Sequence, residues 1–320
     1  MLIPSKRIVN GIIGSLGLFF FVSCLTPKLK DDLAREYFNL GNAYFALEKH
    51  SQAVESYKKA LMYNPDLAEG SFNLSRVYIA LGRFEEGLEI LSHLRTTRGD
   101  NILLLQTLAY AFAKAGRKDE ALQHYLRILE ISKGNINALF NAGILYYEQE
   151  NYDEAFRLLS TVYDLDRKDT PSLRLLGLIE IKRNHKIEAL SYLLEYIKQK
   201  PEDVEIGWEV YRILYEQERY VEALGILDAM LDKKKEDANV WFEKAYLLLT
   251  KAEEKIKGFE ALEKALNFNF RNREKFQKLL VEIPQSYIEE AKSLFLRTGA
   301  YPKEDLEEFL KTFKMPESSP

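Results

Sequence analysis

From about residue 34 onward, apolar residues recur three or four positions apart in runs of about a dozen, each broken by a short polar turn. That pattern predicts amphipathic helices joined into hairpins. A stricter period lies over it. Gly41, Ser75, Ala109, Gly143, Gly177, Tyr211 and Ala245 are spaced 34 residues apart, and Ala53, Gly87, Ala121, Ala155, Ala189 and Ala223 keep that period 12 residues further on. Two helices approach closely only where side chains are small, so two such series predict stacked helical hairpins. A continuous coiled coil is excluded, because turns such as Leu47–His50 and Lys114–Arg117 interrupt any heptad stripe.

The pattern resembles the tetratricopeptide (TPR) family. Ala34–Leu67 carries Tyr37, Leu40, Gly41 and Tyr44 on its first helix, Ala53, Tyr57 and Ala60 on its second, and Pro65 at its close. The register continues at residues 68, 102, 136, 170, 204 and 238, with Tyr44, Tyr78, Phe112, Tyr146, Leu214 and Leu248 in one large apolar slot. The resemblance implies an all-α, right-handed superhelix of seven repeats over residues 34–270, followed by capping helices over 271–314 and a disordered tail at 315–320. The expected caps are Arg273–Val281, Gln285–Leu296 and Pro302–Phe313, punctuated by Pro284 and the Gly299–Pro302 stretch.

Repeats six, five and seven depart from the pattern. Tyr211 is bulky where a small residue belongs and Gly207 is small four residues earlier, so the swap is expected to conserve volume on one helix face. Glu180 occupies the aromatic slot; it is either buried and partnered, or repeat five is rotated. Repeat seven needs one inserted residue, and its turn is expected over Lys251–Lys257.

The front of the chain carries a second signal. Lys6 and Arg7 precede a 15-residue apolar run, Ile8–Val22, too short to span a bilayer as a helix and typical of a secretory signal. Phe21-Val22-Ser23-Cys24 resembles a relaxed, spirochaete-like bacterial lipobox, which implies a signal peptide over residues 1–23, acylation of Cys24, and a leash over 24–33. The alternatives are an uncleaved anchor or a signal peptide with a chance cysteine. The expected location is the cell envelope, tethered to a membrane and facing the periplasm.

Charged residues make up 29% and hydrophobic residues 47% of the sequence, as in long amphipathic helices. Removing the cationic Lys6 and Arg7 shifts the net charge from −4 to −6, which disfavours nucleic acid as a partner. The histidines fall at four different repeat positions, and the sequence holds no phosphate loop or serine elbow. An enzyme is therefore not expected, nor any cofactor or metal.

In the TPR family the first helices line a concave groove. Carried onto this chain, those positions give Phe38, Asn39, Asn42, Phe72, Asn73, Arg76, Tyr110, Phe140, Asn141, Tyr147, Trp208, Arg212 and Tyr215 as a partner-binding groove. Asn39, Asn73 and Asn141 share one repeat position, each after a Phe. They resemble an asparagine ladder that holds an extended backbone, or they are a default residue of that position. The family's carboxylate clamp is missing its cations, since Phe38, Leu103 and Thr107 stand in their places. The expected partner is another envelope protein or an extended peptide, bound in an assembly or secretion role. The alternative is a ligand-handling or transporter-accessory subunit with an aromatic pocket around Phe140, Tyr147, Trp208 and Tyr215.

Overall fold

A computed structural model describes residues 26–300 and 302–312, and among these it contains seventeen α-helices, one 3-10 turn and no strand. Cys24, the signal segment and residues 313–320 lie outside the described residues. Compact packing divides the chain at Leu165/Asp166 into two units.

The first unit holds α1 (Pro27–Ala46), α2 (His50–Tyr63), α3 (Ala68–Ala80), α4 (Phe84–Arg98), α5 (Ile102–Lys114), α6 (Lys118–Ile131), α7 (Ile136–Glu148) and α8 (Tyr152–Leu165). These pair consecutively into four hairpins. The small-residue series marks where paired helices touch: a Cβ on Gly41 would lie 2.6 Å from the Tyr57 ring, and one on Gly143 2.7 Å from Leu159. The core fills between hairpins with residues such as Leu91, Leu105, Leu108, Ile128 and Leu158, all fully buried.

The second unit holds α9 (Thr170–Lys182), α10 (Lys186–Gln199), α11 (Val204–Glu216), α12 (Tyr220–Lys233), α13 (Ala238–Thr250), α14 (Lys255–Asn267), α15 (Arg273–Glu282), α16 (Ile288–Arg297) and α17 (Lys303–Thr312). Phe242, Phe270, Phe276 and Phe295 stack in series from α13 to α16, so the terminal helices bury the last repeat's apolar face.

Two local devices recur with the repeat. Asn101, Asn135, Asp169, Asp203 and Asp237 each cap a first helix, accepting a hydrogen bond from the backbone N–H of Leu104, Ala138, Ser172, Ile206 and Val240. Each hairpin turn puts its middle residue in the left-handed region: Glu48, Gly82, Gly116, Glu150, Asn184 and Glu218 all have positive φ. The residue after it then donates back across the turn, as Lys49 does to the Tyr44 carbonyl at 2.8 Å, which closes the helix end.

Several expectations are corrected. The first helix begins at Pro27, capped by Thr26, so residues 27–33 are helix rather than leash. In repeat seven the turn is Lys251–Glu254, only one residue longer than its counterparts, and Lys255–Lys257 already belong to the second helix. The middle cap splits into a 3-10 turn, Gln285–Tyr287, and α16, because the extended Pro284 leaves the Tyr287 N–H to bond its carbonyl at 2.8 Å. Gly207 is not compensated by Tyr211: Met230 from the facing helix fills its space, and a Cβ there would lie 2.9 Å from that sulfur.

Glu180 is buried and partnered. Its carboxylate accepts from Arg183 Nη1 at 2.8 Å and pairs with His185 Nδ1 at 2.7 Å.

Candidate functional site

In the first unit, Phe38 on α1 is half-buried and tilts against Tyr57 of α2, with ring centres 6.0 Å apart. One turn along, Asn42 Oδ1 accepts from the Tyr57 hydroxyl at 2.6 Å and from Asn73 Nδ2 of α3 at 2.8 Å. Burial pushes the Tyr57 phenol up from its ordinary pKa, so it stays a donor. Asn73 in turn offers Oδ1 to Arg76 Nη1 at 3.5 Å, and the Arg76 guanidinium lies 5.3 Å from the centre of the Phe45 ring. Two repeats are thereby joined by an amide pair that ends in a cation.

This polar line borders a cavity of about 450 Å³ whose lining includes Phe38, Phe72, Asn73, Arg76, Leu103 and Leu104. A second hollow of about 320 Å³, with Phe45, Gln106, Thr107 and Tyr110, shares Arg76. Leu103 is 60% exposed, which leaves an apolar side chain free to meet a partner. Tyr110 is likewise exposed, and Phe72 is half-buried.

Of the asparagines at positions 39, 73 and 141, Asn73 lines the larger cavity. Asn39 is exposed and borders neither hollow, and Asn141 Nδ2 donates to the Asn137 carbonyl of its own helix at 2.7 Å. The amide contact that does form uses Asn42 and Asn73. Phe140 is half-buried against the unit's core, and Tyr147 tilts against Tyr152 at 5.8 Å. Arg98, at the end of α4, also lines the larger cavity; it belongs to a second helix and so falls outside the first-helix positions that mark the groove in the sequence. A usable signal existed: neither Arg76 nor Arg98 has a carboxylate three or four residues away.

A hollow of the second unit, also about 450 Å³, is different in kind. Trp208 stands edge-on to Tyr211 at 5.5 Å, beside Glu209, Arg212, Glu243 and Lys275. Tyr211 donates to Glu243 Oε2 at 2.9 Å and Lys275 donates to Oε1 at 2.6 Å, while Arg212 pairs with Glu209. Burial, then the Glu243 charge, drives the Tyr211 pKa far up, so this phenol stays protonated and donates. Tyr215 packs among Tyr211, Tyr220 and Tyr246 and does not line that hollow. Its charges are matched internally.

Models of the tetratricopeptide repeat match residues 34–67 and 112–179. The chain contains tetratricopeptide repeats. A search of the curated proteins found no match. Among solved structures, the C-terminal part of a TPR repeat-containing protein from Cytophaga hutchinsonii is similar, with a TM-score of 0.61 and 13% identity, covering 74% of this chain and 97% of that one. A TPR protein from Parabacteroides merdae has a TM-score of 0.54 and 18% identity, covering 83% and 99%. MamA from Desulfovibrio magneticus has a TM-score of 0.50 and 13% identity, covering 54% and 97%. At these identities the likeness concerns the TPR fold. A TPR protein of this build is suited to protein–protein contact, since its repeats are scaffold and its exposed apolar and amide groups sit on a formed surface.

Proposed function

We propose that this chain is a membrane-tethered, extracytoplasmic TPR scaffold that takes an extended segment of another envelope protein in the groove of its first unit. The observation that carries the groove is the cavity of about 450 Å³ between α1, α3 and α5, walled by half-buried aromatics and bordered by Asn73 and Arg76. Large apolar side chains bordered by amides can hold both the side chains and the backbone of an extended partner. The tether rests on Cys24 at the end of the Ile8–Val22 run. Only Leu25 separates that cysteine from Thr26, the cap of α1, so an acylated Cys24 would hold the first unit close to the membrane. The role is display beside an assembly or secretion machine.

Fractionation with capture tests both parts. Wild type is expected in membranes with one partner attached, Cys24→Ala in the soluble fraction, and Leu103→Asp in membranes without the partner. A Cys24→Ala form that stays in the membrane contradicts the tether. A partner retained by Leu103→Asp contradicts the groove.

A further inference from the structure

We infer that the first unit's cavity selects an extended peptide carrying an aspartate or glutamate side chain next to an apolar one. This deepens the groove reading above and rests on it. Two guanidinium groups carry the inference. Arg76 reaches the Asn73 amide and the Phe45 ring, and Arg98 donates from Nη2 to the Asp66 carbonyl at 3.1 Å. Among the described residues neither lies within ion-pair distance of a carboxylate.

Most of the other arginines are paired with carboxylates, whereas Arg271, among the described residues, donates only to the backbone carbonyls of Leu266, Phe270 and Thr298. Arg83 holds Glu86, Arg95 and Arg127 share Asp100, Arg117 holds Glu120, Arg157 holds Glu154, Arg174 holds Asp203 and Glu205, and Arg219 holds Glu222. Arg76 and Arg98, without such a partner, line the same cavity, together with Phe38, Phe72, Leu94 and Leu103. The hollow beside Trp208 in the second unit, by contrast, has its charges matched by their neighbours.

The chemistry follows. Both arginines are exposed, so a partner's carboxylate can reach either guanidinium and satisfy it through two parallel hydrogen bonds. The apolar wall takes the neighbouring side chain. Alternation along an extended segment, with an acidic residue toward the cations and an apolar one toward Phe72 and Leu103, supplies both. This recognition uses Arg76 on α3 and Arg98 at the end of α4. Its cations stand elsewhere than positions 38, 103 and 107, where the family's clamp would place them. Glu69 lines the same cavity and pairs with neither arginine, so it opposes an acidic ligand.

Fluorescence anisotropy with the full chain tests the inference, using three labelled eight-residue probes. One is alternating Leu-Asp with both ends capped, the second its capped Leu-Asn analogue, and the third the Leu-Asn peptide with a free carboxyl end. At about 50 mM salt, wild type is expected to bind the Leu-Asp probe at least about tenfold tighter than the capped Leu-Asn probe, the scale of charge-assisted bonds. Arg76→Gln combined with Arg98→Gln should reduce that preference to under about threefold, and Glu69→Gln should increase it. Circular dichroism confirms that the variants fold. Equal affinity for the two capped probes, or a preference that survives the double substitution, overturns the inference. A free-ended Leu-Asn probe that binds as tightly as Leu-Asp also overturns it, assigning the site to a terminal carboxylate. If both capped probes bind equally and Leu103→Asp abolishes both, the groove stands and its acidic preference falls. If no probe binds wild type, both readings fall.

Discussion

Gly143 lies where α7 and α8 of the fourth hairpin touch, with no room for a methyl group: the nearest atom, Leu159 Cγ, would be 2.7 Å from its Cβ. Gly143→Ala would gain about 1 kcal/mol of helix propensity but must push aside a buried leucine, a cost of about 1–3 kcal/mol. A net destabilisation, read as a lower urea midpoint, is expected; a raised midpoint would show that the hairpin has slack. His124 offers a second test. It stacks on Phe112 at 5.2 Å, and burial, reinforced by Arg95, holds its pKa below the ordinary value of 6.5. The unfolded chain therefore binds this proton more readily than the folded one, so its contribution to stability is complete above about pH 6.5 and declines as pH falls toward the folded value. The difference in urea midpoint between wild type and His124→Gln should accordingly narrow on going from pH 8 to pH 5. A difference that does not change with pH would contradict the burial.

At the scale of the element, the turn between paired helices is where repeat five departs from its neighbours. In repeats two and three an arginine lies over the slot aromatic, Arg83 4.4 Å from the Tyr78 ring and Arg117 4.6 Å from that of Phe112. In repeat five the slot holds Glu180, and His185, at the position of those arginines, pairs with it instead. A guanidinium resting on a ring has become an imidazole against a carboxylate. Leu214 and Leu248 fill the same slot in repeats six and seven, so Glu180→Leu should be within about 1 kcal/mol of neutral. Removing both partners, His185→Ala with Arg183→Ala, strands a buried carboxylate and should cost about 1–3 kcal/mol. Chemical unfolding of both variants checks the order, and a Glu180→Leu form less stable than the double variant would reverse it. The hairpins themselves could be read from the sequence because their small residues, turns and slot residues repeat at a fixed distance. The partners of Glu180 are not legible in the sequence for a physical reason: they depend on which of two rotations the hairpin adopts, which the period of 34 does not encode.

At the scale of the molecule, each unit is a stack of hairpins, and what the chain presents to a partner depends on the offset between neighbouring hairpins. That offset brings Asn42 onto Asn73 and places Arg98, from a second helix, in the wall of the first unit's cavity. Neither could be read from first-helix positions, although Phe38, Phe72, Asn73 and Arg76 could, because those positions recur in every repeat. Trp208 and Arg212 also fall beside a hollow, but there each charge finds a neighbour. The first unit's cavity thus carries cations without carboxylate partners, where the hollow beside Trp208 has its charges matched. The most direct test is photo-cross-linking in intact cells, with a photoreactive residue at position 103 in the groove or at position 221, which is 84% exposed on the second helix of repeat six. A discrete adduct with one envelope protein is expected from position 103, mapped to an extended segment of that protein, with none from position 221. The same adduct from both positions, or from 221 alone, would contradict a partner held in the groove.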